Sequence, residues 1–153
     1  MSIKTRFDLR RWLFVLLAIT LLGLSAELLL LDHRESLTQW IPFGVLAVGL
    51  GATLVVAVRA SRLTIQLLRG VMVLFVATGL LGLYLHYRGN VAFELEMSPA
   101  LEGWELFRKA LSGATPTLAP GAMAQLGLLG LLFTYRHPVL DLPGAITDNG
   151  TGD

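Results

Sequence analysis

The sequence predicts an all-α membrane protein with four transmembrane helices, because of its composition, four long apolar runs and one periodic polar loop. Hydrophobic residues make up 54% of the 153-residue chain, and charged residues only 15%. Each apolar run approaches the roughly 20 residues that cross a bilayer core. We therefore expect one four-helix transmembrane domain, residues 1–138, and a polar C-terminal tail, residues 139–153. A short amphipathic interfacial helix is expected in the loop between helices 3 and 4.

The first two predicted spans are residues 12–31 and 40–58. The first follows the basic segment MSIKTRFDLRR, and the small residues of GLSAE resemble a signal-peptide cleavage site. The apolar run LLLL continues beyond that site, so a retained helix is the better interpretation. The second span begins at Trp40 and ends before the short basic turn RASR.

The third and fourth predicted spans are residues 63–85 and 118–135. Ser61 precedes the third span and is a good N-cap residue. Pro120 opens the fourth span, which is shorter and rich in small residues, a composition typical of close helix packing. The tail after it, DLPGAITDNGTGD, has too few apolar residues to form a core, so we expect it to be disordered unless a partner holds it.

The distribution of Lys and Arg predicts the orientation of the chain. Eight of these residues fall on one side of the predicted membrane: Lys4, Arg6, Arg10, Arg11, Arg59, Arg62, Arg69 and Arg136. Four fall on the other side: Arg34, Arg88, Arg108 and Lys109. The positive-inside rule then places both termini in the cytoplasm and the loop 86–116 outside. We expect a multi-pass protein of the bacterial inner (cytoplasmic) membrane.

The outer loop contains the segment PALEGWELFRKALSG, whose periodicity is helical. Pro99 suits the start of this helix and Gly113 its end. Its apolar face is the predicted partner contact: Leu101, Trp104, Phe107 and Leu111. The helix could lie among the outer lipid headgroups. It could equally pack on the protein's own bundle or on a partner.

The segment HYRGNVAFELEM follows the third span and concentrates polar side chains. Tyr84 and Tyr87 are at the depth of an aromatic belt, and GN is a turn signal. In an extended FELEM segment Glu94 and Glu96 would share one face. The simplest interpretation is a solvated helix exit.

A metal site is a second interpretation of this region. His33, His86, Glu94 and Glu96 would lie at one outer level if the first and third spans converge there. Imidazole and carboxylate groups together suit a hard or borderline divalent metal. No fixed ligand spacing such as HExxH supports the site.

A cofactor site is a third interpretation. Gly79, Gly82 and His86 lie on one face of the third span, where a neighbouring helix or a flat ligand could approach closely. His86 could then ligate a haem or chlorophyll-type macrocycle or lie beside a quinone. The sequence itself requires no cofactor. Glu27 lies inside the first span and could pair with Arg88 or His86, contact a partner, or serve a proton or ligand role.

The basic residues Arg59, Arg62 and Arg69 predict contact with anionic lipid or with an acidic partner. A net charge of +1 gives no indication of a nucleic-acid-binding surface. The absence of cysteine excludes disulfides and thiolate metal sites. Neither GxxxxGK[ST] nor GxSxG occurs, so no ATPase or serine-hydrolase signature is present.

These observations favour a non-enzymatic structural or accessory subunit of a larger membrane complex, with a respiratory or photosynthetic complex as one candidate. Membrane lipids and other membrane-protein subunits are the expected partners. Two alternatives remain open. The first is a membrane enzyme or metal-binding protein that uses the outer His and Glu residues. The second is a homo-oligomeric channel or carrier, in which Glu27 would face the pore.

Overall fold

The computed structural model describes residues 3–31 and 37–141, with side chains for 9–31 and 37–140. Every element within these ranges is helical. In chain order they are α1 (Ile3–Leu30), a short 3-10 helix (Leu37–Gln39), α2 (Trp40–Val58), α3 (Arg62–Met97), α4 (Gly103–Leu111), α5 (Gly121–Thr134) and α6 (Pro138–Asp141). The predicted tail lies outside the described residues, except for its first three positions.

Three helical segments are long and apolar enough to cross a membrane: Leu9–Leu30, Leu37–Val58 and Arg62–Met97. The fourth apolar helix, α5, has 14 residues and is shorter than a full crossing usually requires. The chain is therefore an all-helical protein with three helices that suit a bilayer.

Several helix boundaries follow the local sequence signals. The helix α2 has the predicted bounds, and α5 begins directly after Pro120. At the start of α3, Ser61 forms a capping box with Thr64: the Ser61 hydroxyl accepts from the Thr64 amide at 3.2 Å, and the Thr64 hydroxyl accepts from the Ser61 amide at 2.8 Å.

The prediction of a turn and an extended segment after residue 85 was wrong. The helix α3 continues through Gly89 and Asn90 and ends at Met97. Ser98 precedes Pro99, and a residue before proline is disfavoured in the helical conformation, which accounts for the end of α3 there. Glu94 and Glu96 are consequently two residues apart on a helix and do not share a face.

The helix α4 is shorter than the sequence predicted. It begins at Gly103 rather than at Pro99 and ends at Leu111 rather than at Gly113. Residues 98–101 instead form the turn that closes α3, with the Leu101 amide donating to the Ser98 carbonyl at 3.0 Å. Gly103 has a φ of +57°, a conformation that glycine adopts without steric cost.

The helix α3 is the central helix of the bundle, packed against α2, α4 and α5, while α1 packs on α2 and α5. The largest completely buried apolar side chains come from all four long helices: Leu17, Leu21, Leu46, Ile65, Leu68, Met72, Phe75 and Leu126. Burial of these side chains holds the bundle together in its middle and at its basic end.

Small residues bring α3 and α5 into close contact. A Cβ at Gly79 would collide with the backbone of Ala124, and a Cβ at Gly127 would lie 2.6 Å from the Met72 carbonyl oxygen. Gly130 instead faces the side chain of Met72. Backbones that approach this closely gain dispersion contacts along their length, as predicted from the small residues of the fourth span.

Candidate functional site

A cleft of about 780 Å³ opens at the end of the bundle that lies away from the basic turn. Its walls are the second half of α1, the start of α2, the outer part of α3 and the segment that leads into α5. A volume of this size is typical of small-molecule sites. Most of the lining is apolar, including Leu24, Leu28, Ile41, Leu81, Leu85 and Met123.

Seven polar residues line the cleft: Glu27, Thr38, Gln39, Thr78, His86, Thr115 and Gln125. Glu27 comes from α1, Thr78 and His86 from α3, and Gln125 from α5. The Nδ1 atom of His86 lies 3.2 Å from the Pro116 carbonyl oxygen, a contact that joins α3 to the segment before α5. The cleft therefore combines one acidic group, hydrogen-bonding groups and a large apolar wall.

The glycine face predicted for a cofactor is covered by protein. Ala124 packs on Gly79, and a Cβ at Gly82 would lie 2.6 Å from the Cβ of Pro120. Of the two predicted occupants of this face, the neighbouring helix is the one present, and a cofactor at the glycines stays a prediction. His86 lies beyond the glycines and lines the cleft, where its role as a ligand stays a prediction.

The predicted metal ligands are only partly within the described residues, because His33 lies outside them. Among the described residues no group of three His, Asp or Glu side chains could hold a metal ion. Glu94 is eight residues beyond His86 on the same helix, which separates them by ~12 Å along its axis. The metal site stays a prediction that depends on residues beyond the described ranges.

The outer loop is fixed to α3 by Asn90, whose side chain is 2% exposed. Its Nδ2 lies 2.9 Å from the Ala110 carbonyl, 2.8 Å from the Thr115 carbonyl and 2.9 Å from the Thr117 hydroxyl. Its Oδ1 accepts from the Thr115 amide at 3.1 Å and from the Thr115 hydroxyl at 2.6 Å. Gly113 packs directly on this amide and leaves no room for a Cβ. The sequence marked Asn90 only as half of a turn signal.

The predicted partner-contact face of α4 is held in one orientation. Phe107 packs on Tyr87 of α3 with ring centroids 5.9 Å apart, and Trp104 stacks on Phe107 at 5.3 Å. Trp104 remains 74% exposed, while Phe107 and Leu111 are close to 40% exposed (41% and 39%). Leu101 is half-buried. These residues form an aromatic face on the outside of the bundle.

The basic residues at the other end have two different roles. Arg69 donates to the Thr134 carbonyl at 2.8 Å, and Arg10 donates to the Phe133 carbonyl at 2.8 Å, so both cap the C-terminal end of α5. Arg59 and Arg62 are exposed. Of the three arginines predicted to meet lipid, Arg69 is thus engaged within the protein.

His137 lies beside this capped helix end, with its ring 5.4 Å from that of Phe133. Burial lowers the pKa of His137 below its ordinary value of 6.5, and the positive charge of Arg10 lowers it further. The neutral imidazole is therefore favoured in the folded protein.

The described residues leave three surfaces accessible: the cleft, the aromatic face of α4 and the exposed arginines of the basic end. Compared with protein-family models, curated proteins and solved structures, the chain gives no match.

Proposed function

We propose that the chain crosses a bacterial inner membrane four times, with both termini in the cytoplasm. Support for α5 as the fourth crossing comes from its close contact with the central part of α3 along the glycines described above. Arg10 of α1 and Arg69 of α3 both cap the C-terminal end of α5, so these helix ends share one end of the bundle. That end is the basic one, which the positive-inside rule assigns to the cytoplasm.

We further propose that the protein is an accessory subunit that binds another membrane protein through the aromatic face of α4. The observation that carries this proposal is the exposed Trp104, stacked on Phe107 in a helix that a buried amide ties to α3. Tryptophan is enriched among the residues that dominate protein interfaces. A side chain already held in position loses little conformational entropy on binding, which favours affinity.

The length of α3 supports a role for this face outside the lipid core. Its 36 residues rise ~54 Å, whereas a bilayer core is about 30 Å thick. The outer third of α3, which carries α4, can therefore stand above the core even when the helix is tilted. We expect the occupant of the face to be an apolar patch on a neighbouring subunit.

The proposal is tested by gentle detergent extraction from native membranes, followed by native-gel sizing and mass spectrometry. The wild-type chain should migrate with a larger complex, and Trp104→Ala should release it as a small species. Glu105→Ala is the matched control, since it neighbours Trp104 and removes only an exposed ion pair with Lys109. An absorbance spectrum of the same complex would show whether a pigment or haem accompanies it.

Two results would overturn the accessory-subunit proposal. The first is a wild-type chain that migrates as a small species. The second is a large complex that Trp104→Ala leaves intact. If the face instead rests on lipid, the part of the tryptophan emission that Trp104→Ala removes should be shifted to the blue in liposomes that contain this chain alone. The substitution should then leave native migration unchanged.

A further inference from the structure

The cleft contains one acidic residue in a lining that is mostly apolar. Among its described lining residues, Glu27 is the only Asp, Glu, Lys or Arg. Within the described part of the chain its carboxylate makes no ion pair or hydrogen bond; Arg88, the expected partner, lies over the Tyr84 ring at 5.8 Å. A carboxylate in this position can attract a cation, and the apolar side chains beside it can contact the rest of a ligand.

Helix rise gives the level of Glu27, an exposed residue that lines the cleft. It follows the buried Leu21 by six residues, or ~9 Å of helix rise, and Leu21 lies at the level of Phe75. Gly82, seven residues beyond Phe75, is therefore at nearly the same depth as Glu27, and His86 is about one turn further out. A ligand whose cation is held by Glu27 would therefore lie beside the lining residues of the cleft at the level of Gly82.

One wall of the cleft is held in place by packing and a hydrogen-bonding contact. Pro120 packs on Gly82, and His86 contacts the Pro116 carbonyl, so the segment before α5 is held against α3 on one side of the opening. A rigid wall reduces the entropy that a ligand must lose with the protein on binding. Thr78 and Gln125 supply further hydrogen-bonding groups along the walls.

We propose that this cleft binds a lipophilic amine, with its protonated nitrogen against the Glu27 carboxylate and its apolar body between α1, α3 and the start of α5. The charge selects a cation over fatty acids and anionic lipids, which the carboxylate repels. The apolar lining selects a hydrophobic body over a simple amine. This site is separate from the aromatic face of α4 and needs no partner subunit.

The test uses the full-length chain in phosphatidylcholine nanodiscs, with dansylcadaverine as the fluorescent amine and empty nanodiscs as background. We expect saturable binding to the wild-type chain. Glu27→Gln should weaken binding by about tenfold or more, because it removes the charge and keeps the shape. Glu96→Gln is the matched control, since this exposed carboxylate does not line the cleft. Circular dichroism confirms that each variant is folded.

A second variant and two analogues separate the charge from the apolar body. Leu28→Trp should weaken binding of the amine by filling the cleft while it leaves Glu27 in place. The N-acetylated probe, which has no charge, and dansyl-aminohexanoic acid, which is an anion, should both bind the wild-type chain more weakly than the amine. Equal binding of the acetylated probe, tighter binding of the acid, unchanged binding by Glu27→Gln or Leu28→Trp, or no saturable binding would each overturn the proposal.

Discussion

Replacing Asn90 with alanine removes the side chain that ties the outer loop to α3. Two of its hydrogen-bonding partners, the Ala110 carbonyl and the Thr117 hydroxyl, are buried, and Thr115 is exposed. The Thr117 hydroxyl also donates to the Ala110 carbonyl at 3.1 Å, so these two groups keep one partner after the substitution. The substitution therefore costs the net energy of the lost hydrogen bonds. It does not leave either buried group without a hydrogen-bonding partner.

The expected loss of unfolding free energy follows from these contacts. Each of the two buried hydrogen bonds contributes about 1 kcal/mol net. The bonds to Thr115 contribute less, because water can replace them. The empty space left by the amide beside Gly113 adds to the loss. We expect Asn90→Ala to lower the free energy of unfolding of the outer loop by about 3 kcal/mol.

The assay follows tryptic cleavage after Arg108 and Lys109, which requires the loop to open. A change of about 3 kcal/mol should raise the cleavage rate about a hundredfold where opening is fast and reversible. Global unfolding is followed by circular dichroism in mixed micelles. Gln66→Ala is the matched control, because Gln66 is an exposed amide on the same helix. If Asn90→Ala and Gln66→Ala gave the same cleavage rate, the amide would not be what holds the loop.

Three further predictions concern the bundle itself. Gly79→Ala should destabilise the protein, since the added methyl group meets the α5 backbone, whereas the methyl group of Gly51→Ala meets no atom and should have no such effect. Thermal unfolding in detergent compares the two variants. Equal melting temperatures would contradict the packing argument. Arg69→Gln should lower the free energy of unfolding by about 1–2 kcal/mol, because it removes the hydrogen bond to the end of α5. The substitution Arg62→Gln, at an exposed residue, should lower it by less than about 0.5 kcal/mol. Chemical unfolding measures both, and comparable losses would refute the prediction. Because the pKa of His137 is lowered on folding, the contribution of His137 to stability is present above about pH 6.5 and is lost as the pH falls below that value. The melting temperature of His137→Gln should therefore decline less on acidification than that of the wild-type chain. Parallel declines would argue against this role of His137.

Local signals in the sequence determined the helices and several of their ends. The apolar runs predict α1, α2 and the first two thirds of α3 because burial in lipid or in a bundle depends on the apolar area of each segment. Ser61 and Pro120 mark helix starts because capping involves only neighbouring residues. The aromatic face of α4 followed from periodicity in the same way, although its use in binding a partner remains a proposal.

The tertiary structure decided what the ambiguous polar and small residues do. Asn90 is tolerated inside α3 because groups 20–27 residues further along the chain satisfy its amide, and no local pattern reveals those partners. Gly79 and Gly82 serve helix packing because α5 crosses them, and Arg69 caps α5 instead of meeting lipid. The cleft around Glu27 likewise forms only where four segments meet. The sequence predicted most of the helical segments, although not the last third of α3, whereas contacts between distant segments decide which surfaces remain for other molecules.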